Sequence, residues 1–198
     1  MKNLLRTLQD LFPRSSIAVG GSSARKYICG PDSLEEAPND LDIYLNVSIW
    51  REGFRNMKEN ILSPEGAGQY ETGEGKLSEY QPYRAPHIRR RISVSFPGGE
   101  HPTLDFIFLN PDAVPDVKDY LLKYQASAFS ECCIYASWGG VHTSTSPKFN
   151  SLVVLGKEKK VQVNVHESAC SPEHYNKLKK LASRYGVEIV EVLRSFKN

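Results

Sequence analysis

The segment Thr103-Leu104-Asp105-Phe106-Ile107-Phe108-Leu109 is apolar on both faces of an extended strand, apart from one acid. Side chains alternate along a strand, so Leu104, Phe106 and Phe108 take one face while Asp105, Ile107 and Leu109 take the other. A strand of that composition belongs inside a sheet covered on both sides. A lone carboxylate buried there is costly unless something neutralises or hydrogen-bonds it, so the fold must bring Asp105 a partner. The run from His87 to Phe96 turns at Pro97-Gly98-Gly99-Glu100 and returns into this strand, which is a hairpin signal.

Upstream, a short strand from Ser16 to Val19 runs into Gly20-Gly21-Ser22-Ser23, and a helix follows that Gly30-Pro31 stops. Ser22 or Ser23 can cap this helix, whose first amides would point at a bound phosphate. Asp40-Leu41-Asp42-Ile43-Tyr44-Leu45 opens a strand from Asp40 to Val47. Strand parity sends Asp40 and Asp42 to one side and Leu41 and Ile43 to the other. Carboxylates a few ångströms apart repel unless a divalent cation neutralises them. Mg²⁺ suits a site with oxygen ligands whose substrate brings phosphates.

Taken together, these residues resemble the signature of the DNA polymerase β-like nucleotidyltransferase superfamily: a Gly-Gly or Gly-Ser, a short helix, an Asp-x-Asp strand and a separate third Asp. Residues 20–30 look most like the head of its CCA-adding enzyme and poly(A) polymerase branch. That branch places an Arg on the first helix and a Gly at its end, where Arg25 and Gly30 stand. It departs from the branch in having Ser23-Ala24-Arg25-Lys26 where the usual Val-Arg-Asp would be. The resemblance spans most of residues 16–136 and the tail only loosely.

The resemblance implies an α/β (α+β) fold of the polymerase β palm type, a small mixed sheet with flanking helices mainly on one face. It implies transfer of a nucleoside monophosphate from a nucleoside triphosphate to a hydroxyl, with Mg²⁺ or Mn²⁺ as cofactor. Asp40 and Asp42 would hold both ions, and Asp105 would complete the one that activates the acceptor. Gly20, Gly21, Ser22, Ser23 and Arg25 would bind the nucleotide, with Gly21 and Ser22 cradling the β- and γ-phosphates. Arg25 could instead pair with Glu35 or Glu36. An RNA 3′ end, tRNA first, is the expected acceptor. The same chemistry on a protein hydroxyl (AMPylation) or a small molecule is the alternative, and a nucleotide- or nucleic-acid-binding protein without turnover is a second.

Arg84, Arg89, Arg90 and Arg91 form the sharpest basic cluster. On a strand Arg89 and Arg91 share a face, either as a groove for acceptor or triphosphate or as the charged guard of an exposed sheet edge. With 25 basic against 23 acidic residues the net charge is only +2, so any nucleic-acid contact must be local. Cys29, Cys132, Cys133 and Cys170 have neither zinc nor disulfide-framework spacing, and Cys132-Cys133 reads as core. The five His residues show no metal-ligand spacing. A reducing cytoplasm is the expected location, and no run approaches the roughly 20 apolar residues of a membrane span.

Length points to a single domain over 1–198, with the catalytic core at 16–136 and a strand and helix extension at 137–198. Apolar spacing predicts helices over Lys2 to Phe12, Ser48 to Leu62 and Val114 to Tyr124. Phe129 to Ala136 reads as a strand or buried turn. Lys160 to His166 reads as a strand, and Ser171 to Tyr185 as a basic helix closed by Gly186. Residues 63–86 carry Gly66, Gly68, Gly73 and Gly75 with Tyr70, Tyr80 and Tyr83 and have no apolar period. They read as a mobile loop that closes over the site.

Overall fold

The computed structural model of the chain describes residues 2–13, 15–30, 39–46, 76–80, 87–95, 102–123, 125, 127–150, 160–164 and 172–192. A mixed seven-stranded sheet organises them, in the order β3-β4-β5-β2-β1-β6-β7. The strands are β1 (Ile17–Val19), β2 (Asp40–Leu45), β3 (Lys76–Tyr80), β4 (Ile88–Ser95), β5 (Thr103–Leu109), β6 (Cys132–Ser137) and β7 (Gly140–Thr145). Only β2 and β5 run parallel; the other neighbours are antiparallel.

The Asp105 strand is an interior one, flanked by β4 and β2, and every residue from Leu104 to Leu109 is buried. Burying a large apolar side chain contributes roughly 1.5–3 kcal/mol. The five apolar neighbours therefore outweigh the cost of one hydrogen-bonded acid. Leu41, Ile43, Leu45, Leu104, Phe106, Phe108, Ile92 and Val94 form one face of the sheet. Against it pack helix α1 (Lys2–Leu11), through Leu4, Leu5 and Leu8, and helix α2 (Gly21–Cys29), through Ala24. The other face carries Ala18, Ile107, Leu109 and Cys133 under helix α3 (Val117–Lys123), which contributes Val117 and Leu121. Asn46 fastens α3's entry to the sheet: its amide donates to the Val114 and Pro115 carbonyls at 2.9 and 2.8 Å, and its oxygen accepts from the Ser16 amide at 2.7 Å.

Several expectations are revised. Lys76–Tyr80, inside the segment read as a loop, is a strand: β3 pairs with residues 91–95 of β4 and is the outer strand there. β4 is therefore not the sheet edge. The rest of 63–86, and the expected helix over 48–62, lie outside the described residues. The helix expected from Val114 begins at Val117, because Asn46 holds the Val114 and Pro115 carbonyls. β7 closes the other side of the sheet as a hairpin partner of β6. In the tail, β8 (Lys160–Asn164) and β9 (Glu188–Val192) are parallel, joined through helix α5 (Pro172–Tyr185), while α4 is the single turn Pro147–Phe149. Gly186 ends α5 with φ of 63°. Leu181, Ala182 and Tyr185 of α5 pack on Phe129 in the 3₁₀ turn Ala128–Ser130. No helix of the described residues is long and apolar enough to cross a membrane.

Candidate active site

The sheet's registers assemble the three acids. Asp42 lies directly beside Asp105 in the parallel β2–β5 pair, and Asp40 lies beside Thr103. The alternating burial of β2 sends Leu41, Ile43 and Leu45 inward and leaves Asp40 and Asp42 on the opposite face. One carboxylate oxygen from each of Asp40, Asp42 and Asp105 lies within 4.8 Å of the others. Burial, then the charges of Asp40 and Asp105, pushes the Asp42 carboxyl up from 3.8 to about 7, against the lowering pull of Arg91 and Arg25. The site is thus short of positive charge.

Asp105 has the partner its sequence context demanded. The Ser93 hydroxyl donates to Oδ1, and the Arg91 guanidinium donates to Oδ2. Burial disfavours the charged Arg91, yet the hydrogen bond and charge of Asp105, with Asp42 beyond, raise its pKa on balance. Arg89 turns elsewhere, because a bulge between Ile88 and Arg90 breaks the two-residue alternation of β4. It is exposed, donates to Asn110 Oδ1 at 2.7 Å and lies 3.7 Å from Asp112. The expectation that Arg89 and Arg91 share a face therefore fails at the bulge. Arg84 lies outside the described residues.

The glycine turn meets the acids directly. The Gly20 amide donates to the Asp42 carbonyl at 3.0 Å. Gly21 sits at φ of 65°, and a Cβ there would run into Asp42 Oδ2. Only glycine allows both that backbone conformation and that approach. Gly20, not Ser22 or Ser23, occupies the cap position, and no side chain caps the helix. The Ser23 hydroxyl instead donates to the Asp40 carbonyl at 2.8 Å, pinning α2 to the start of β2. Arg25 points to the other side of α2: it is buried, with Nη1 donating to the Phe129 carbonyl at 3.1 Å and Ser130 Oγ at 3.4 Å. Glu35 and Glu36, its alternative partners, lie outside the described residues.

Behind the acids, Tyr44 continues the same face of β2. Its ring lies 6.4 Å from that of Tyr120, which meets His87 edge-on at 6.0 Å. Burial, with the nearby Asp42 charge, keeps the Tyr44 hydroxyl well above its ordinary pKa. Ser93 and Tyr44 are members of the site that were not singled out in the sequence. For Ser93 a signal was available: the hairpin brings the two strands side by side, and polar residues of the returning strand are the natural partners for a lone acid.

Solved structures share this arrangement of elements. A CCA-adding enzyme with CTP superposes with a TM-score of 0.59 at 18% identity, covering 96% of this chain and 40% of that one. The fold is that of the polymerase β-like nucleotidyltransferases. The Thermotoga maritima CCA-adding enzyme complexed with tRNA gives 0.59 at 17% identity over 96% of this chain and 39% of the other. A tRNA nucleotidyltransferase complexed with a primer tRNA and an incoming ATP analogue gives 0.55 at 11% identity, covering 93% and 46%. The chain thus spans less than half the length of these proteins. No protein-family model matches the sequence, and no curated protein matches it.

Proposed function

We propose that the chain is a metal-dependent nucleotidyltransferase that moves a nucleoside monophosphate from a nucleoside triphosphate to the hydroxyl of an RNA 3′ end, with tRNA the first candidate. The observation that carries this reading is the convergence of Asp40, Asp42 and Asp105 beside the Gly20-Gly21 turn, within 4.8 Å of one another. The donor set fits Mg²⁺. Mg²⁺–oxygen distances are about 2.1 Å, so two oxygens on one ion lie at most about 4.2 Å apart, comparable with the 4.8 Å that bounds the triad. A cation would also relieve the charge deficit that raises Asp42.

Bound there, Mg²⁺ or Mn²⁺ would lower the pKa of the attacking hydroxyl and neutralise the pyrophosphate leaving group. The remaining work falls to this chain's own residues. Asp40 and Asp42 hold the charge centre from one strand, and Asp105 does so from the next. The amides of Gly21 and Ser22 at the start of α2 face the triphosphate. Ser23 and Arg25 serve nucleotide binding by holding α2: Ser23 anchors it to β2, and Arg25 to the turn that carries Phe129. The RNA acceptor draws support from the tRNA complexes among the structural neighbours.

The test is incubation of the protein with each labelled nucleoside triphosphate, Mg²⁺, and total RNA or total protein. Label in RNA is the expected result. Label in protein would move the acceptor to a protein hydroxyl, and label in neither would overturn transfer to a macromolecule. For the acceptor path we take the exposed Arg89, with Arg84, as the first contact. Arg89→Ala should weaken RNA binding and reduce the slope of log affinity against log salt by about one contact's worth, about 0.7–0.9. The melting temperature should barely change, since an exposed pair of this kind contributes at most about 1 kcal/mol. An unchanged slope would leave Arg89 a surface charge paired with Asp112.

A further inference from the structure

Asp105 is held in a way its sequence context alone does not require. It is 3% exposed, and its two oxygens are taken by two different kinds of donor, both from β4. Ser93, directly opposite in the register, donates its hydroxyl to Oδ1. Arg91, two residues earlier and opposite Ile107, reaches along the sheet to Oδ2. Asp42 flanks Asp105 from the other strand, and the Arg91 charge is felt there too.

We propose that these residues divide the positioning of the third carboxylate. Ser93 fixes the direction in which Asp105 presents its remaining lone pairs, while Arg91 is the cation of the site when no metal is bound. Arg91, a candidate for the acceptor groove by sequence, is thereby assigned to the metal end of the site. This rests on the reading of the triad as a metal centre and adds two positioning residues to it. The physical distinction is charge. A neutral hydroxyl can aim a carboxylate without altering the electrostatics of three clustered acids. A guanidinium cannot be removed without leaving them more repulsive.

The two halves predict effects of opposite sign, read on the nucleotide-free full chain titrated with Mn²⁺ by the paramagnetic resonance of free ion, and melted with and without Mn²⁺. Ser93→Ala keeps the charge and loses the aim, so Mn²⁺ should bind about 10- to 100-fold more weakly, the usual scale for losing an outer partner of a metal ligand. Its metal-induced rise in melting temperature should shrink accordingly. Ser93→Thr, which keeps the hydroxyl, should bind as the parent does. Arg91→Gln removes the resident cation, so the metal-free protein should melt lower, bind Mn²⁺ more tightly and gain more from it than the parent. Should Arg91→Gln not fold without metal, Arg91→Lys, which keeps the charge, should fold and bind Mn²⁺ near the parent affinity. Parent-like affinity in Ser93→Ala, a change in the same direction in both variants, or an Arg91→Lys protein that binds as Arg91→Gln does would overturn the assignment. A parent protein that binds no Mn²⁺ would overturn the metal reading itself.

Discussion

Asp42→Asn should abolish nucleotidyl transfer, with a loss of about 10³-fold or more, the scale on which a preorganised charge contact to a reacting phosphate is felt, while the metal-free protein stays folded and becomes less sensitive to pH. Asp42 sits between Asp105 and the Gly21 backbone, so no other acid of the triad can take its place. Its charge is also a burden in the absence of metal. The carboxyl is raised from 3.8 to about 7 by burial and by its two acidic neighbours, so the folded state holds a proton that the unfolded chain releases. The stabilisation this provides is complete below about pH 4 and is lost as pH rises through about 7. The metal-free parent should accordingly melt lower at pH 8 than at pH 5 on account of this group. Asn, which never ionises, should remove that part of the slope. Melting curves across that range, in chelator and then in Mg²⁺, make the measurement. An Asn variant with parent-like turnover would remove Asp42 from the chemistry, and an unaltered pH slope would remove it from the charge imbalance.

Gly21→Ala is the second large effect, and it should damage the site through the backbone rather than through charge. At φ of 65° an L-residue carries a penalty of about 1–2 kcal/mol, which for a chain of this size lowers the melting temperature by about 2–8 °C. The added methyl would also come within 2.4 Å of Asp42 Oδ2. Either the helix start or the carboxylate must move, and both belong to the proposed phosphate and metal positions. Metal binding should fall at least about tenfold, with transfer falling further. Gly20→Ala supplies the internal comparison. Its φ is −117°, and a methyl there meets the side-chain atoms Tyr44 Cε2 at 3.0 Å and Leu121 Cδ2 at 3.1 Å, which can yield by a few tenths of an ångström. If the two alanines cost the same, close approach to Asp42 is not what Gly21 provides.

What could be read from the sequence was whatever the physics of a single element determines. The apolar flanks of Asp105 required an interior strand, alternation put Asp40 and Asp42 on one face, and Gly30 and Gly186 marked helix ends. Pairing between distant strands left weaker traces. Lys76-Leu77-Ser78-Glu79-Tyr80 and Gly140-Val141-His142-Thr143-Ser144-Thr145 have too few apolar positions to show a period. Both are outer strands of the sheet, where having a single strand neighbour relaxes the pattern. The direction of Arg25 was equally hidden, since helical spacing tells which residues share a face but not whether that face meets the ligand or the 3₁₀ turn. The bulge at Arg89 likewise reversed a parity argument that holds only for an unbroken strand.

The parallel pairing of β2 with β5 bears on how the protein is made. Asp42 and Asp105 become neighbours only when two strands far apart in the chain, with a hairpin between them, close in one register. A slip of one residue would turn Asp105 to the opposite face of the sheet. Local structure such as α1 can form early without any trace of the site, and the β4–β5 hairpin can bring Ser93 and Arg91 to Asp105 without bringing Asp42 to it, because contacts of long sequence separation are the slow ones. Divalent-ion binding, as proposed for the triad, would therefore be a gauge of complete assembly. A nascent or partly folded chain holds Asp42 and Asp105 apart, and the proposed capacity to bind a divalent ion would come only when the central pairing of the sheet is in place.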